Sequence, residues 1–560
     1  MEFLQRSKQP GFLVSLDFFH AYDRVSLVWV DRVLEAMGFG QGLRRWIKTL
    51  HKGALATFML HNLTRDLEIL FSIRQGDPLA MILYIIQLEP LLHFLQKALR
   101  GLRVGTIREA SLGYVDDVAA LGDDVEDLPV LDLAVRDFEA ASGAILNRNR
   151  KSMIMGLGAW ATRTTWPLTW LHVTPQIKIY GVTIRPELDS TVEESWLSTI
   201  RGLQSTLNLW STRCLPTLLL RRQALEVFAL SKIWYLAQIL PLPQKHLTSI
   251  LAALRTFLWK GCLERLALKE LHRPLSEGGL GLVCVQTRAK ALLAKQACHR
   301  IASGGKSYQH LAYWIGVGLL PNLAPGPHVD IPPQHWRDLA KLLKEVFAMD
   351  GVDMQQLEEV TSKDLYKQWM TDPPAPKVQS RIPDLSWARI WTRLSWAGLP
   401  ALLVDTGFRA LHNILPLEVR RHRLKLAPSP ACSWCGAERE DTLHFFTICP
   451  RVEEVWTFLA SAAAAAAGGP IPDQKLLYLD LPLGRAEGPI TLTILAYMEW
   501  AWSTRGSPAA LTTSGLLTKA RSYQWTFPSL FPAPQLPLLP PPGPTPSPPR
   551  PPDSGPARLV

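Results

Sequence analysis

Leu112-Gly113-Tyr114-Val115-Asp116-Asp117-Val118-Ala119-Ala120-Leu121 limits the folds open to this chain more than any other stretch. Two carboxylates stand between apolar flanks. A β-hairpin satisfies that pattern, because it buries both flanks and leaves the acids at the tip. A second acidic pair, Asp123-Asp124, follows Gly122, where the strand should end, and has Glu126 and Asp127 beside it; it reads as a solvated turn. Phe12-Leu13-Val14-Ser15-Leu16 is a short apolar run of the kind a buried strand shows, and it delivers Asp17 at its C-terminal end.

Between residues 12 and 184 such runs alternate with amphipathic segments, which implies a sheet with covering helices. Val25, Val28, Trp29, Val33, Ala36 and Met37 recur at helical spacing until Gly38, and Leu43, Trp46, Ile47 and Leu50 repeat the pattern. Asp77-Pro78 is a helix start, a capping carboxylate followed by a proline whose missing N–H costs nothing there, with Ile82, Leu83 and Ile86 continuing the apolar face. Another helix runs through Leu131, Ala134, Val135 and Phe138 and closes at Ser142-Gly143. From about residue 187 to 424 the periodicity is helical, with proline-rich interruptions at 321–333 and 372–376. Ala462 to Ala467, followed by Gly468-Gly469-Pro470, marks either a helix end or a flexible joint. Residues 531–560 are roughly two-fifths proline and are expected to be extended and disordered.

The 560 residues include 47% apolar side chains, which excludes wholesale disorder and suggests about three or four domains. Sixty Lys+Arg against 49 Asp+Glu leave a charge of +11, mild for this length and permissive of a polyanionic partner. No run approaches the ~18 apolar residues a bilayer span needs; the best, from Leu79, is cut by Gln87, Glu89, Pro90 and His93. The first residues lack a cleavable signal pattern. The expectation is a soluble intracellular protein, nuclear or cytoplasmic, not secreted and not bound to a membrane. Of seven cysteines, Cys214, Cys262, Cys284 and Cys298 are scattered and expected to be core thiols. Cys432, Cys435 and Cys449 cluster, and with His444 they have Cys₃His zinc-site spacing, with Gly436 placed for a tight knuckle.

Phe12-Leu13-Val14-Ser15-Leu16-Asp17-Phe18-Phe19-His20-Ala21-Tyr22-Asp23-Arg24-Val25 resembles the first palm motif of non-LTR retrotransposon (LINE-type) reverse transcriptases. Arg74-Gln75-Gly76-Asp77-Pro78-Leu79 is similar to their RQGDPLSP segment, and Tyr114-Val115-Asp116-Asp117 to their catalytic hairpin. Gly38-Phe39-Gly40 with Trp46-Ile47, the stretch from Phe138 to Asn147 (FEAASGAILN), and Ile179-Tyr180-Gly181-Val182 match further family segments in family order. Phe257 to Lys260, Arg273-Pro274 and Gly278 to Leu282 resemble a downstream segment of the same proteins, and Cys432 to Pro450 their C-terminal zinc-binding stretch.

The resemblance implies an α+β chain: a polymerase palm over 1–186, a helical thumb-like region over 187–300, a helical connection over 301–424, a zinc-binding segment over 425–460, a helical region over 461–530 and the tail. It implies RNA-directed DNA synthesis, with two Mg²⁺ ions on Asp17 and Asp116 and Asp117 in support. Carboxylates converging from neighbouring strands suit two divalent ions about 3.5 to 4 Å apart, and hard oxygen ligands suit Mg²⁺. Tyr22 would sit under the incoming sugar and exclude a 2′-hydroxyl. Arg74, Gln75 and Gly76 would pass the template base and nucleotide. A structural Zn²⁺ would be held by Cys432, Cys435, His444 and Cys449. The implied partners are an RNA template, a DNA primer or target, and deoxynucleoside triphosphates. Ala80-Met81 stands where the family has Ser-Pro and Ser72 where it has Gly, and only sixteen residues precede Asp17, where the family has a fingers region. Two expectations follow: an N-terminally truncated reverse transcriptase, or an inactive retrotransposon remnant that at most binds nucleic acid.

Overall fold

The computed structural model describes residues 2–51, 55–60, 63–68, 73, 77–105, 107–149, 151–260, 266–315, 334–349, 356–396, 398–481, 487–507 and 511–526. Arg74, Gln75, Gly76, Cys262, the 321–333 interruption and the proline-rich tail lie outside them. Helix and sheet are mixed, and the chain divides into two compact units: residues 1–214, 223–262 and 283–372, and residues 215–222, 263–282 and 373–560.

The first unit begins with helix α1 (Glu2–Ser7), strand β1 (Pro10–Leu16), helices α2 (Leu27–Ala36) and α3 (Gln41–His51) and the hairpin β2 (Leu55–Leu60) and β3 (Leu63–Glu68). Next come helix α4 (Ala80–Ala98), hairpin β4 (Leu102–Val104) and β5 (Ile107–Glu109), hairpin β6 (Ser111–Tyr114) and β7 (Asp117–Gly122), and helix α5 (Asp127–Ser142). Strands β8 (Met153–Gly158), β9 (His172–Val173), β10 (Ile177–Ile179) and β11 (Val182–Ile184) lead into helix α6 (Leu188–Ser211). A five-stranded sheet has the order β6-β7-β1-β8-β9; all pairings are antiparallel except β8 with β9.

Strand β1 is central and buried on both faces because its alternate side chains enter two different cores. Phe12, Val14 and Leu16 join Val118, Ala120 and Ile154 against Leu83, Tyr84 and Leu88 of α4 and Leu131, Val135 and Phe138 of α5. Leu13 points the other way, with Ala119, Met155 and Leu157, toward Leu4, Ile177 and Ile179. A strand used on both faces cannot show apolar–polar alternation, which is why its sequence is a continuous apolar run. Each such side chain contributes roughly 1.5–3 kcal/mol by burial.

The expected helices form, though not always with the expected buried face. Ser26 caps α2 through its Oγ and Gly38 follows its end at φ 83°. Gly143, at φ 79°, closes α5, and the Asp77 carboxylate accepts from the Leu79 N–H just before α4. In α3, by contrast, Ile47 and His51 are buried, whereas Leu43, Trp46 and Leu50 are exposed. The alanine run belongs to helix Glu453–Ala467, which Gly468 ends in the left-handed conformation, so it is a helix end.

Two further expectations are corrected. Cys298 is a core thiol, but Cys214 is exposed and Cys284 only half-buried. Asp127 is not solvated: it is 3% exposed and its two carboxylate oxygens accept from the Arg100 and Gly101 N–H groups. Those donors, at the end of α4, need an acceptor once buried. Among the described residues no helix is long and apolar enough to cross a membrane.

Candidate active site and metal centre

Asp17 leaves the C-terminal end of β1 half-buried and fixed at three atoms. Its N–H donates to Ser152 Oγ at 3.2 Å and its carbonyl accepts from the Asn147 N–H at 2.7 Å. Its Oδ2 accepts from Asn147 Nδ2 at 3.2 Å. The segment after α5 runs antiparallel beside residues 17–19, through the Phe18–Leu146 bridge and the Phe19 N–H donated to the Ile145 carbonyl at 2.8 Å. Asn147 lies in the family-like FEAASGAILN stretch, but nothing in the sequence assigned it to Asp17.

The β6–β7 hairpin forms as its flanks required. Tyr114 pairs with Asp117, so Val115 and Asp116 make a two-residue turn. Val115 sits at φ 56°, a left-handed conformation that costs a β-branched residue roughly 1–2 kcal/mol and is retained where surrounding structure over-determines it. Strand β7 pairs with β1 up to Leu16–Val118. One further step of that register would set Asp17 opposite Asp117, whose carboxyl feels the Asp17 charge, and Asp116 is at the exposed tip.

The electrostatics reflect this convergence. The Asp117 carboxyl is held above the usual carboxylate range by partial loss of water first, then by the negative charges of Asp116 and Asp17; the Tyr180 N–H and Lys178 oppose the rise. Tyr22 and Tyr84 are both raised, by burial first and then by Asp116. Their rings stack with centroids 4.8 Å apart at 28°, which places Tyr22 in the same cluster as the hairpin acids. The Tyr22 carbonyl accepts from the Ile73 N–H at 3.0 Å. Arg74, Gln75 and Gly76 come next in the chain and lie outside the described residues. Like charges gathered this closely repel unless a cation joins them, so oxygen donors on neighbouring strands fit a hard divalent ion.

The second unit holds the sulfur-rich cluster. Donor atoms of Cys432, Cys435, His444 and Cys449 all lie within 4.8 Å of one another. A tetrahedral site with metal–sulfur bonds of about 2.3 Å has edges of about 3.8 Å, so a small contraction closes these four donors on one cation. The knuckle is made by the Gly436 N–H donating to the Cys432 carbonyl at 3.0 Å, with Gly436 at φ 74°. Asp441 Oδ1 accepts from the His444 N–H at 2.9 Å and orients that turn. Cys435 Sγ and His444 Nε2 are already 3.3 Å apart. Burial pushes the Cys449 thiol up to about 12 and holds His444 below its ordinary value; a bound cation would have to displace the thiol proton. Behind the cluster, Arg505 Nη2 bridges Glu418 at 3.1 Å and the buried Glu440 at 2.7 Å, a brace no spacing pattern announced.

Residues 1–184 match the profile of the family described as "Reverse transcriptase (RNA-dependent DNA polymerase)". The chain is 28% identical over 305 residues to a "Transposon TX1 uncharacterized 149 kDa protein" of Xenopus laevis, covering 53% of this chain and 23% of that protein. It is 30% identical over 150 residues to a "Retrovirus-related Pol polyprotein from type-1 retrotransposable element R2" of Popillia japonica, covering 26% of this chain and 21% of that one. The matched stretches thus span under a quarter of either relative. A telomerase structure from Candida albicans, in complex with a fragment of telomeric RNA, is 14% identical over 56% of this chain and 50% of that chain, at a TM-score of 0.21 too low to bear on the fold. Residues 1–184 of this chain are thus similar to reverse transcriptases, and the two relatives matched are transposon-encoded proteins.

Proposed function

We propose that the chain is the palm-bearing part of an RNA-directed DNA polymerase, with Asp17 and Asp116 as the metal-holding carboxylates and Asp117 in support. The observation that carries this is the β1–β7 register, which brings Asp17 beside the acidic hairpin tip. Two Mg²⁺ ions bound there would stabilise the attacking primer 3′-oxygen and the leaving pyrophosphate oxygen. The remaining work falls to the chain: Asn147 and Ser152 orient Asp17, and the strained Val115 turn presents Asp116. Tyr22, stacked on Tyr84, would meet the incoming sugar and reject a 2′-hydroxyl by lack of room. Arg74, Gln75 and Gly76, on sequence grounds, would line the template and nucleotide path. RNA template, DNA primer and deoxynucleoside triphosphates are the substrates of this reading.

Cys432, Cys435, His444 and Cys449 would hold a structural Zn²⁺, since soft thiolates with one imidazole and no open position are a structural donor set.

Primer extension on an RNA template with Mg²⁺, comparing the chain with Asp116→Ala, tests the assignment. Synthesis that falls about 10²- to 10³-fold in the variant is expected, from the loss of a charge-stabilising group in phosphoryl transfer. An absence of Asp116-dependent synthesis would overturn the reading and leave a catalytically inactive remnant that at most binds nucleic acid.

A further inference from the structure

The turn between β10 and β11 consists of Tyr180 and Gly181, both left-handed, at φ 50° and 75°. Two-residue hairpin turns of that shape favour Asn, Asp or Gly at the first position, because a Cβ is crowded there. Tyrosine at that position is held from outside the hairpin. The Tyr235 hydroxyl, from helix Ser231–Ala237, donates to the Tyr180 carbonyl at 2.5 Å. The two rings of Tyr180 and Tyr114 meet edge to face with centroids 5.8 Å apart. Helix α6 packs against both β11 and helix Ser231–Ala237, so the hairpin and the Tyr235 helix share one rigid support.

Tyr180 is also where this turn meets the carboxylates. Tyr114 is the residue that closes the acidic hairpin opposite Asp117. On the backbone side, the Tyr180 N–H hydrogen-bonds the Asp117 carboxylate. Tyr180 thus touches the hairpin through its ring and faces one of its acids through its N–H, while its carbonyl is tied to Tyr235.

We propose that Tyr235 is a positioning residue for the carboxylate cluster: its hydroxyl pins the Tyr180-Gly181 turn, and the pinned turn fixes the Tyr114–Asp117 end of the acidic hairpin. This rests on the reverse transcriptase reading of that cluster. Tyr235 is itself half exposed and touches none of the acids, so its effect is transmitted through Tyr180. Tyr235→Phe removes the hydrogen bond and keeps the ring that packs near Gly181, whose Cβ position lies 3.4 Å from a Tyr235 ring carbon.

Two measurements on the full chain test it. Hydrogen exchange followed by mass spectrometry should show faster exchange at Tyr180 to Val182 and across the β6–β7 turn in Tyr235→Phe, with the melting temperature unchanged. Primer extension should show a fall of about tenfold in kcat and a several-fold higher half-saturating Mg²⁺, with KM for the nucleotide little changed; a merely structural role would lower the active fraction without moving the Mg²⁺ requirement. Unchanged exchange, or faster exchange with an unchanged kcat and Mg²⁺ requirement, overturns the proposal while leaving the polymerase reading intact. A parent chain without Asp116-dependent synthesis overturns the polymerase reading itself and the positioning role with it.

Discussion

Asp17 illustrates what a single carboxylate would need in order to serve a metal site. A carboxylate that must meet a cation in a fixed direction cannot be left free to rotate, and here Asn147 Nδ2 ties one of its oxygens while the backbone of Asn147 ties its carbonyl. The two bonds have different jobs. Removing the amide in Asn147→Ala leaves the main-chain bond and so the local fold, but frees the carboxylate. A hydrogen bond to a charged group is worth about 1.5–3 kcal/mol, so if about half of that is realised in the transition state kcat falls about 4- to 12-fold, with the melting temperature lowered by several °C. Steady-state incorporation kinetics beside thermal unfolding decide the matter; wild-type kcat in the variant would show that Asp17 is oriented by other contacts. The acids themselves were legible in the sequence because apolar flanks fix a hairpin tip. Asn147 was not, since a contact across 130 positions leaves no local pattern.

At the scale of the element, packing decided where periodicity alone was ambiguous. The α3 pattern of Leu43, Trp46, Ile47 and Leu50 correctly announced a helix, yet its apolar positions span more of the surface than one neighbour covers, and only Ile47 among them is buried. Strand β1 was legible for the opposite reason: with a core on each face, every apolar position has a partner. Glycines separate two kinds of constraint. At Gly436, in the cysteine knuckle, an added Cβ meets nothing within 4 Å, so only the positive φ resists it. At Gly156, in β8, an added Cβ would lie 1.8 Å from the Trp160 carbonyl oxygen. Gly436→Ala should therefore cost about 1 kcal/mol, whereas Gly156→Ala, which must displace backbone, should exceed about 3 kcal/mol, as overpacking at its severe end does. Denaturant midpoints of the two variants check this, and equal costs would mean that the β8 loop yields freely.

For the whole molecule, the two compact units carry different chemistry, and each should answer to its own ion. Oxygen donors stand at the end of β1 and the tip of the β6–β7 hairpin in the first unit, and sulfur and imidazole donors in the second. A hard-ion site of this kind is completed by substrate phosphates, so removing Mg²⁺ should stop synthesis without loosening the sheet. A structural Zn²⁺ contributes directly to folding, because the unfolded chain has no preformed site. Cys449 is fully buried, and its neighbour Phe446 shares the core with Tyr497, whose hydroxyl donates to the Phe446 carbonyl. If the four donors hold Zn²⁺, its loss in Cys449→Ser should thus spread from the knuckle into helix Glu487–Ser503. Hydrogen exchange on the intact chain reads both effects. In Cys449→Ser, residues 430–450 and helix Glu487–Ser503 should lose protection, whereas β1, β7 and β8, whose two cores are built from first-unit residues, should keep theirs. Elemental analysis should find one zinc per chain in the parent and none in the variant. A parent chain without zinc, or a variant with unchanged protection at 430–450, would show that the four donors are brought together by packing alone.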